Sequence, residues 1–333
     1  MAVMFGATLR ITTVIAAPWS LARAGDVPNA TRASLAQTAG APSPLPNKQN
    51  AALPTLNSYV KPQAYGAKGD GVTDDTAAFQ AAVNAGDLSV PPATYLINGN
   101  IYVPSNRNVQ CQPGATLHTT RHDGNESGVI TFKAVSYSSL IGCTITGSNT
   151  ATRPVLDGNQ WNFLVFISAS HNIVIKGNTL KYTWANTALC VDSAHSSNIP
   201  STDILVTYNH FESNGYYGVA TISANNVQVL HNRFVDSSCC AEANSPATDQ
   251  SMYNVYAYNY MTSVNGNAAT CTRCDSGIFL TGGESPKNFN YGTVQVHDNY
   301  VTGKNTRLIT NAESGSTPPV YTNNRCINGC REQ

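Results

Sequence analysis

Charge is scarce in this chain. Lys, Arg, Asp and Glu make up 11% of its 333 residues, with equal numbers of each sign, so the formal net charge is zero. No basic run or stripe occurs, which argues against a nucleic-acid partner. No apolar run approaches the roughly 20 residues of a membrane-spanning helix, and no membrane partner is expected. Helical periodicity is confined to one short stretch, where Ala78, Phe79, Ala82 and Val83 share a face. Asn, Thr, Ser, Gly and Tyr fill the chain instead, the composition of strands joined by turns beneath a polar, weakly charged surface.

One ten-residue pattern recurs. NNVQVLHNRF (225–234) returns as HNIVIKGNTL (171–180), TDILVTYNHF (202–211), MYNVYAYNYM (252–261) and GTVQVHDNYV (292–301), and more faintly as PVYTNNRCI (319–327). Each copy alternates apolar residues and then reaches an Asn. Those asparagines, at 178, 209, 232, 259, 299 and 324, are 31, 23, 27, 40 and 25 residues apart. Alternation marks strands, and a loose period in the twenties marks a solenoid whose strands stack while its loops vary. The expected fold is all-β, a right-handed parallel β-helix with segments 173–176, 204–207, 227–230, 254–257 and 294–297 in one sheet. The shared Asn is expected to be structural, its amides stacking up the coil and its backbone adopting the left-handed turn.

Residues 1–24 read as a signal peptide: Arg10 precedes an apolar run, and Ala22-Arg23-Ala24 fits a small-x-small cleavage site. Residues 25–57, rich in Ala, Pro, Ser, Thr and Asn, read as a flexible linker, leaving 58–333 as the β-helix domain. The product is expected to be secreted, extracellular or periplasmic, and monomeric. Nine cysteines, at 111, 143, 190, 239, 240, 271, 274, 326 and 330, then suggest disulfides. Cys111 and Cys143 sit at matching places in successive coils, and Cys326 with Cys330 can close a terminal loop. The CC and CxxC pairs at 239–240 and 271–274 lack the usual zinc spacing, so no metal is expected.

Before the repeats, YGAKGDGVTDDTAAFQAAVNAG (65–86) reads as a short amphipathic helix, capped by Thr73 or Asp74 and stopped by Gly86. Such a helix can cover the open end of a solenoid. Asp70, Asp74 and Asp75 are explained by turn formation and capping without catalysis or calcium. This stretch and the following VPPATYLINGNIYVPSNRNVQCQPGATL (90–117) resemble the pectate-lyase-like β-helix superfamily, which includes polygalacturonases, rhamnogalacturonases, lyases, epimerases and phage tailspikes. The resemblance implies the fold and a polysaccharide partner, but no one chemistry. Asn186-Thr187-Ala188 lacks the acid of the polygalacturonase Asn-Thr-Asp, and Tyr216-Tyr217-Gly218 stands where an Asp pair is expected. The Gly-His-Gly segment and the Asp-Pro-His motif of alginate epimerases are absent.

Candidate site residues follow from aligning the strands that precede each Asn segment: LVFIS (164–168), LCVDS (189–193), VATIS (219–223), AEANS (241–245), IFLTG (278–282) and LITNA (308–312). Alternation then directs Val165 and Ile167, Cys190 and Asp192, Ala220 and Ile222, Glu242 and Asn244, Phe279 and Thr281, and Ile309 and Asn311 outward. Asp192 and Glu242, two rungs apart on an exposed face, are the candidate acid and base of a glycoside hydrolase acting on an acidic or neutral polysaccharide. His195, Tyr216, Tyr217, Asp275 and Glu284 are candidate substrate contacts, although the two tyrosines suit packing better than sugar stacking. A lyase would need a basic residue, with Arg273 and Arg307 the nearest, and a cation such as calcium to neutralise its substrate; otherwise no cofactor is expected. A non-catalytic carbohydrate-binding or adhesion solenoid is the third reading.

Overall fold

The computed structural model describes residues 59–333 except 123–126, 149–161, 184–186, 193–198, 236–238, 245–252, 263–275, 282–292, 304–306, 312–318, 329 and 331–333. The expected signal peptide and linker lie outside these. Strands run from Asp70 to Ile327 in three sheets in which every strand pair is parallel. The fold is a right-handed parallel β-helix. Among the described residues, sheet 1 has nine strands, including His171–Lys176, Thr202–Thr207, Asn225–Leu230, Val255–Ala257 and Gln295–His297, so the five repeat segments do stack together. Sheet 2 has ten strands, of which all but the first, Asp70–Asp74, follow a strand of sheet 1 after a short corner. Sheet 3 has eight, including Ser127–Lys133, Asn162–Ser168, Leu189–Asp192, Tyr217–Ile222, Cys239–Asn244 and Ser276–Thr281.

The corner from sheet 1 to sheet 2 is always two residues in the Asn repeats, as between Lys176 and Thr179 or Thr207 and His210. Its second residue is the Asn. The Oδ1 of Asn232 accepts from the backbone N–H and the Nδ2 of Asn209 at 2.9 and 3.0 Å. Its Nδ2 donates to the Val206 carbonyl at 2.9 Å and to the Asn259 Oδ1 at 3.2 Å. The same four contacts recur at Asn209, Asn259 and Asn299, and Asn324 ends the ladder. The ladder is buried, so each amide answers polar groups that water cannot reach. The left-handed conformation falls on the residue before the Asn rather than on the Asn itself: Gly177, Tyr208, His231, Tyr258, Asp298 and Asn323 have φ between 53° and 67°. The Asn must instead direct its amide inward along the stack. One coil earlier Cys143 takes the ladder position, its N–H donating to Asn178 Oδ1 at 2.8 Å. Its sulfur is bonded to Cys111, with Cα atoms 4.8 Å apart, and Cys326–Cys330 closes the second expected bridge at 5.3 Å.

The helix, Thr76–Ala85, buries Phe79, Ala82 and Val83 against the first coil, with Phe79 edge-on to Tyr95 at 5.0 Å. Its Gln80 amide does the work of a missing strand. Gln80 Oε1 accepts from the Tyr102 N–H at 2.8 Å and Nε2 donates to the Tyr102 carbonyl at 3.0 Å, on the terminal strand of sheet 3. The open edge is thus closed by one side chain. Asp75 holds the N-cap position but turns back to accept from the Lys68 and Gly69 N–H groups, while Asp74 accepts from the Thr76 N–H at 3.0 Å. Gly86 leaves the helix in extended rather than left-handed conformation. Hydrogen bonds from the Thr73 and Val72 N–H groups and the Thr73 hydroxyl hold the Asp70 carboxyl down to about 2. These aspartates build the cap, as the turn-and-capping reading expects.

Replacing Asn232 by Ala removes four hydrogen bonds and strands the Asn209 N–H and the Val206 carbonyl in a site 2% exposed. The expected loss is about 2–4 kcal/mol, read as a lowered urea midpoint. Gln80→Leu, which keeps the bulk but not the amide, is expected to lose about 1–2 kcal/mol in the same measurement.

Candidate active face

Sheet 3 carries the candidate acid and base, and its register is set by backbone pairing. Leu189 and Val191 enter the core, so Cys190 and Asp192 lie on the opposite face. Cys190 pairs with Ala220, Ala220 with Glu242, and Glu242 with Phe279. Beside that column, Lys133 pairs with Ser168 and Ser168 with Asp192, while Ile222 pairs with Asn244 and Asn244 with Thr281. Asp192 and Glu242 therefore occupy positions of one parity on one sheet, two strands apart and two residues offset. Strand spacing and rise put their Cα atoms about 12 Å apart.

The first strand departs from the expected register. The N–H groups of Leu164 and Val165 both donate to the Ala188 carbonyl, at 3.1 and 2.9 Å, so two residues oppose one in a β-bulge. The bulge moves Val165 opposite Leu189 and Phe166 opposite Cys190. Val165 and Ile167 point into the core, and Phe163, Phe166 and Ser168 take the outer positions expected for them. At the other end Ile309 pairs with Ile278 and Asn311 with Leu280, one residue off the expected alignment, which removes both from the outward columns.

A second apolar cluster covers part of this outer face. Phe163 and Phe166 stack at 5.1 Å and are joined by Cys190, Ala220 and Tyr217, with Tyr216 and Ile222 packed against them. Tyr217 is buried and donates its hydroxyl hydrogen to the Tyr216 hydroxyl at 3.0 Å, with ring centroids 3.9 Å apart. Asp192 is only 1% exposed, where open solvent was expected; its carbonyl accepts from the Ser201 hydroxyl at 2.5 Å. Its face of the sheet is covered, not bare. His195, Asp275, Glu284 and Arg273 lie outside the described residues, and Glu242 and Arg307 are placed by backbone alone.

Two basic residues on this side escaped the sequence reading. Lys133 is exposed at the end of SGVITFK (127–133), one strand before the aligned set; extending the alignment by one coil would have found it. Arg121 reaches Asn100 Oδ1 and Ser127 Oγ and lines a shallow hollow with Thr119, Asn162, Phe163 and Thr183, where sheet 2 gives way to sheet 3. It stands outside any strand, without a periodic signal. Among the described residues no group of three His, Cys, Asp or Glu side chains is placed to hold a metal ion, and no helix is long and apolar enough to cross a membrane.

Comparison with known proteins agrees with this architecture. The family 28 exopolygalacturonase of Yersinia enterocolitica superposes over 83% of this chain and 67% of its own, with a TM-score of 0.55 at 13% identity. By fold, the chain is a right-handed parallel β-helix. The pre-mature gene product 12 of bacteriophage phi29 has the same β-helix over 80% of this chain and 34% of its own, with a TM-score of 0.53 at 18% identity. In sequence, 34 residues (10% of this chain) are 68% identical to the capsule K30/K69-specific depolymerase 1 of Klebsiella phage K5-2. A further match covers 48 residues (14%) at 48% identity to the pre-neck appendage protein of Bacillus phage phi29. Those matches span 4% and 6% of the phage proteins' lengths. No protein-family model matches the β-helix chain.

Phe166→Ala should expose how much the outer cluster contributes. Its ring is buried and stacked, so a loss of about 3 kcal/mol is expected, measured as a urea midpoint shift.

Proposed function

We propose that this β-helix is a secreted glycoside hydrolase that cuts a polysaccharide, with a uronate-containing polymer among its candidate substrates, on the outer face of sheet 3. The observation that carries the reading is the shared parity of Asp192 and Glu242, two strands apart on that face. From Cα atoms about 12 Å apart, an Asp and a Glu side chain can bring their carboxyls into the roughly 6.5–9.5 Å range of an inverting pair. One carboxylic acid then protonates the glycosidic oxygen as the C–O bond breaks. The other takes a proton from the water that attacks the anomeric carbon from the opposite side. Tyr216, half-buried at the rim of the aromatic cluster, is the sugar-facing ring, and Tyr217 beneath it is support. A capsule depolymerase and an exopolygalacturonase among the similar proteins favour a polysaccharide substrate. The leader-like N-terminus and the two disulfides favour export.

Lys133 supports a second reading. An exposed amine in the Asp192 column, two strands from it, offers the base that β-elimination needs to abstract a proton next to a uronate carboxylate. The two chemistries leave different products. Hydrolysis yields new reducing ends alone, while elimination also yields an unsaturated uronate that absorbs in the near ultraviolet.

On a panel of polysaccharides, Asp192→Asn and Glu242→Gln are each expected to lower reducing-end release by at least about a hundredfold, with thermal midpoints close to the parent's. Lys133→Ala should leave hydrolysis within about threefold. Ultraviolet-absorbing product that disappears with Lys133→Ala would replace the hydrolase reading by the lyase one. Full activity in both carboxylate variants would remove Asp192 and Glu242 from the chemistry.

A further inference from the structure

Away from sheet 3, the loop-free corner between sheets 1 and 2 carries a second ordered surface. Tyr208, His231 and Tyr258 hold the left-handed corner position on successive rungs, ring on ring. Tyr208 and His231 stack at 5.0 Å and 4°, His231 and Tyr258 at 4.9 Å and 9°. Just past the corner, Tyr260 and Tyr300 stack at 4.8 Å. The rings nonetheless stand in water: Tyr208 is 56% exposed, Tyr258 48% and Tyr260 40%. Burial holds the His231 imidazole below the usual histidine range, so the stack is uncharged at neutral pH.

The stack ends at Tyr208. One rung earlier the corner residue is Gly177, and a Cβ built there meets nothing within 4 Å; one rung before that it is Gly142. Glycine relieves strain at this φ of 67° but is not the only residue the corner admits, because Tyr208 and Tyr258 adopt the same positive φ one and three rungs away. Its effect is to leave empty the place that another ring would fill. The Tyr208 face turned away from His231 therefore looks onto open space, with the exposed Lys176 beside it.

We infer that this slot is a carbohydrate-binding subsite, separate from the catalytic face, in which one pyranose ring lies on the open face of Tyr208 and continues the stack. A pyranose offers a C–H face to the π system and hydroxyls around its rim. The surroundings match both: polar-tipped rings in the stack, and Lys176, His210 and Arg233 as donors along the corner. An apolar protein partner would call for aliphatic anchors, and these corner positions hold none. Rungs about 4.8 Å apart present equivalent ring edges to a chain lying along the axis. A polymer held here while another stretch occupies sheet 3 would gain apparent affinity through its second attachment.

The ligand class rests on the proposed function, but the residues and the test do not. Asp192→Asn protein, which is expected not to cut, is run through native gels containing polygalacturonate, alginate, xylan or hydroxyethylcellulose, alone and with Tyr208→Ala or Gly177→Tyr; Glu242→Gln serves as the second non-cutting background. Gly177→Tyr adds a ring on Tyr208 and so fills the slot without deleting any contact. Both changes are expected to weaken retention roughly five- to tenfold, the worth of one aromatic contact. Tyr208→Ala should leave the thermal midpoint close to the parent's, and Gly177→Tyr should lower it slightly, by the strain of a side chain at φ 67°. Made in the cutting parent instead, both should leave cleavage of short oligosaccharides unchanged. Equal retention in all variants would overturn the subsite even where the parent cuts polymer. Retention that depends on Tyr208 in a protein that cuts nothing would keep the subsite and remove the hydrolase. Neither cutting nor retention by the parent would remove both.

Discussion

The structure depends on the buried asparagine ladder at the corner between sheets 1 and 2. A parallel strand can slide along its neighbour at small cost unless something fixes its end, and a slip of one residue reverses which side chains face the core. Here each Asn binds backbone and side-chain groups of neighbouring rungs simultaneously, as Asn232 does with Asn209, Val206 and Asn259. The corner has two residues and no slack. Spacing between successive asparagines nevertheless ranges from 23 to 40 residues. All of that variation falls at the other two corners, as in the 13 residues between Thr281 and Gln295. The chain can lengthen its loops around sheet 3 because the opposite corner holds the register.

The same constraint explains the two ends of the ladder. At Cys143 the Asn is replaced and the rung is tied instead to Cys111, so a covalent link serves where the amide chain stops. Beyond it the solenoid needs a lid. The Thr76–Ala85 helix supplies apolar cover through Phe79, Ala82 and Val83, and Gln80 supplies the paired donor and acceptor that a next strand would have offered to Tyr102. Burying an edge without that amide would leave two backbone groups unsatisfied, at roughly 1–3 kcal/mol each.

Sheet 3 is regulated by a different feature, the bulge at Leu164 and Val165. Inserting one residue brings Phe163 and Phe166 to the outside, where they join Tyr217, Cys190 and Ala220 in a cluster beyond the main core. The sheet thereby gains an apolar layer on the face that a polymer would approach. Asp192, next to that layer, is withdrawn from solvent, so any role it takes in chemistry is played in a low-dielectric setting where charge interactions are stronger.

The repeat pattern by itself determined the coil: alternating apolar residues followed by Asn have one stable arrangement, because only stacking buries their apolar side and only a neighbouring rung answers the amide. The Cys111–Cys143 bridge was legible for the same reason, since both cysteines hold equivalent places in successive coils. The left-handed residue was misplaced by one because Asn favours that conformation in general, yet here its side chain is needed inside. Tertiary structure alone decided the outer face. A bulge has no periodic signature, so LVFIS and LCVDS look equivalent in sequence although Val165 opposes Leu189. Nor does alternation distinguish outside from exposed. Asp192 lies outside the barrel and is still buried, because what covers a sheet is set by residues far from it in the chain.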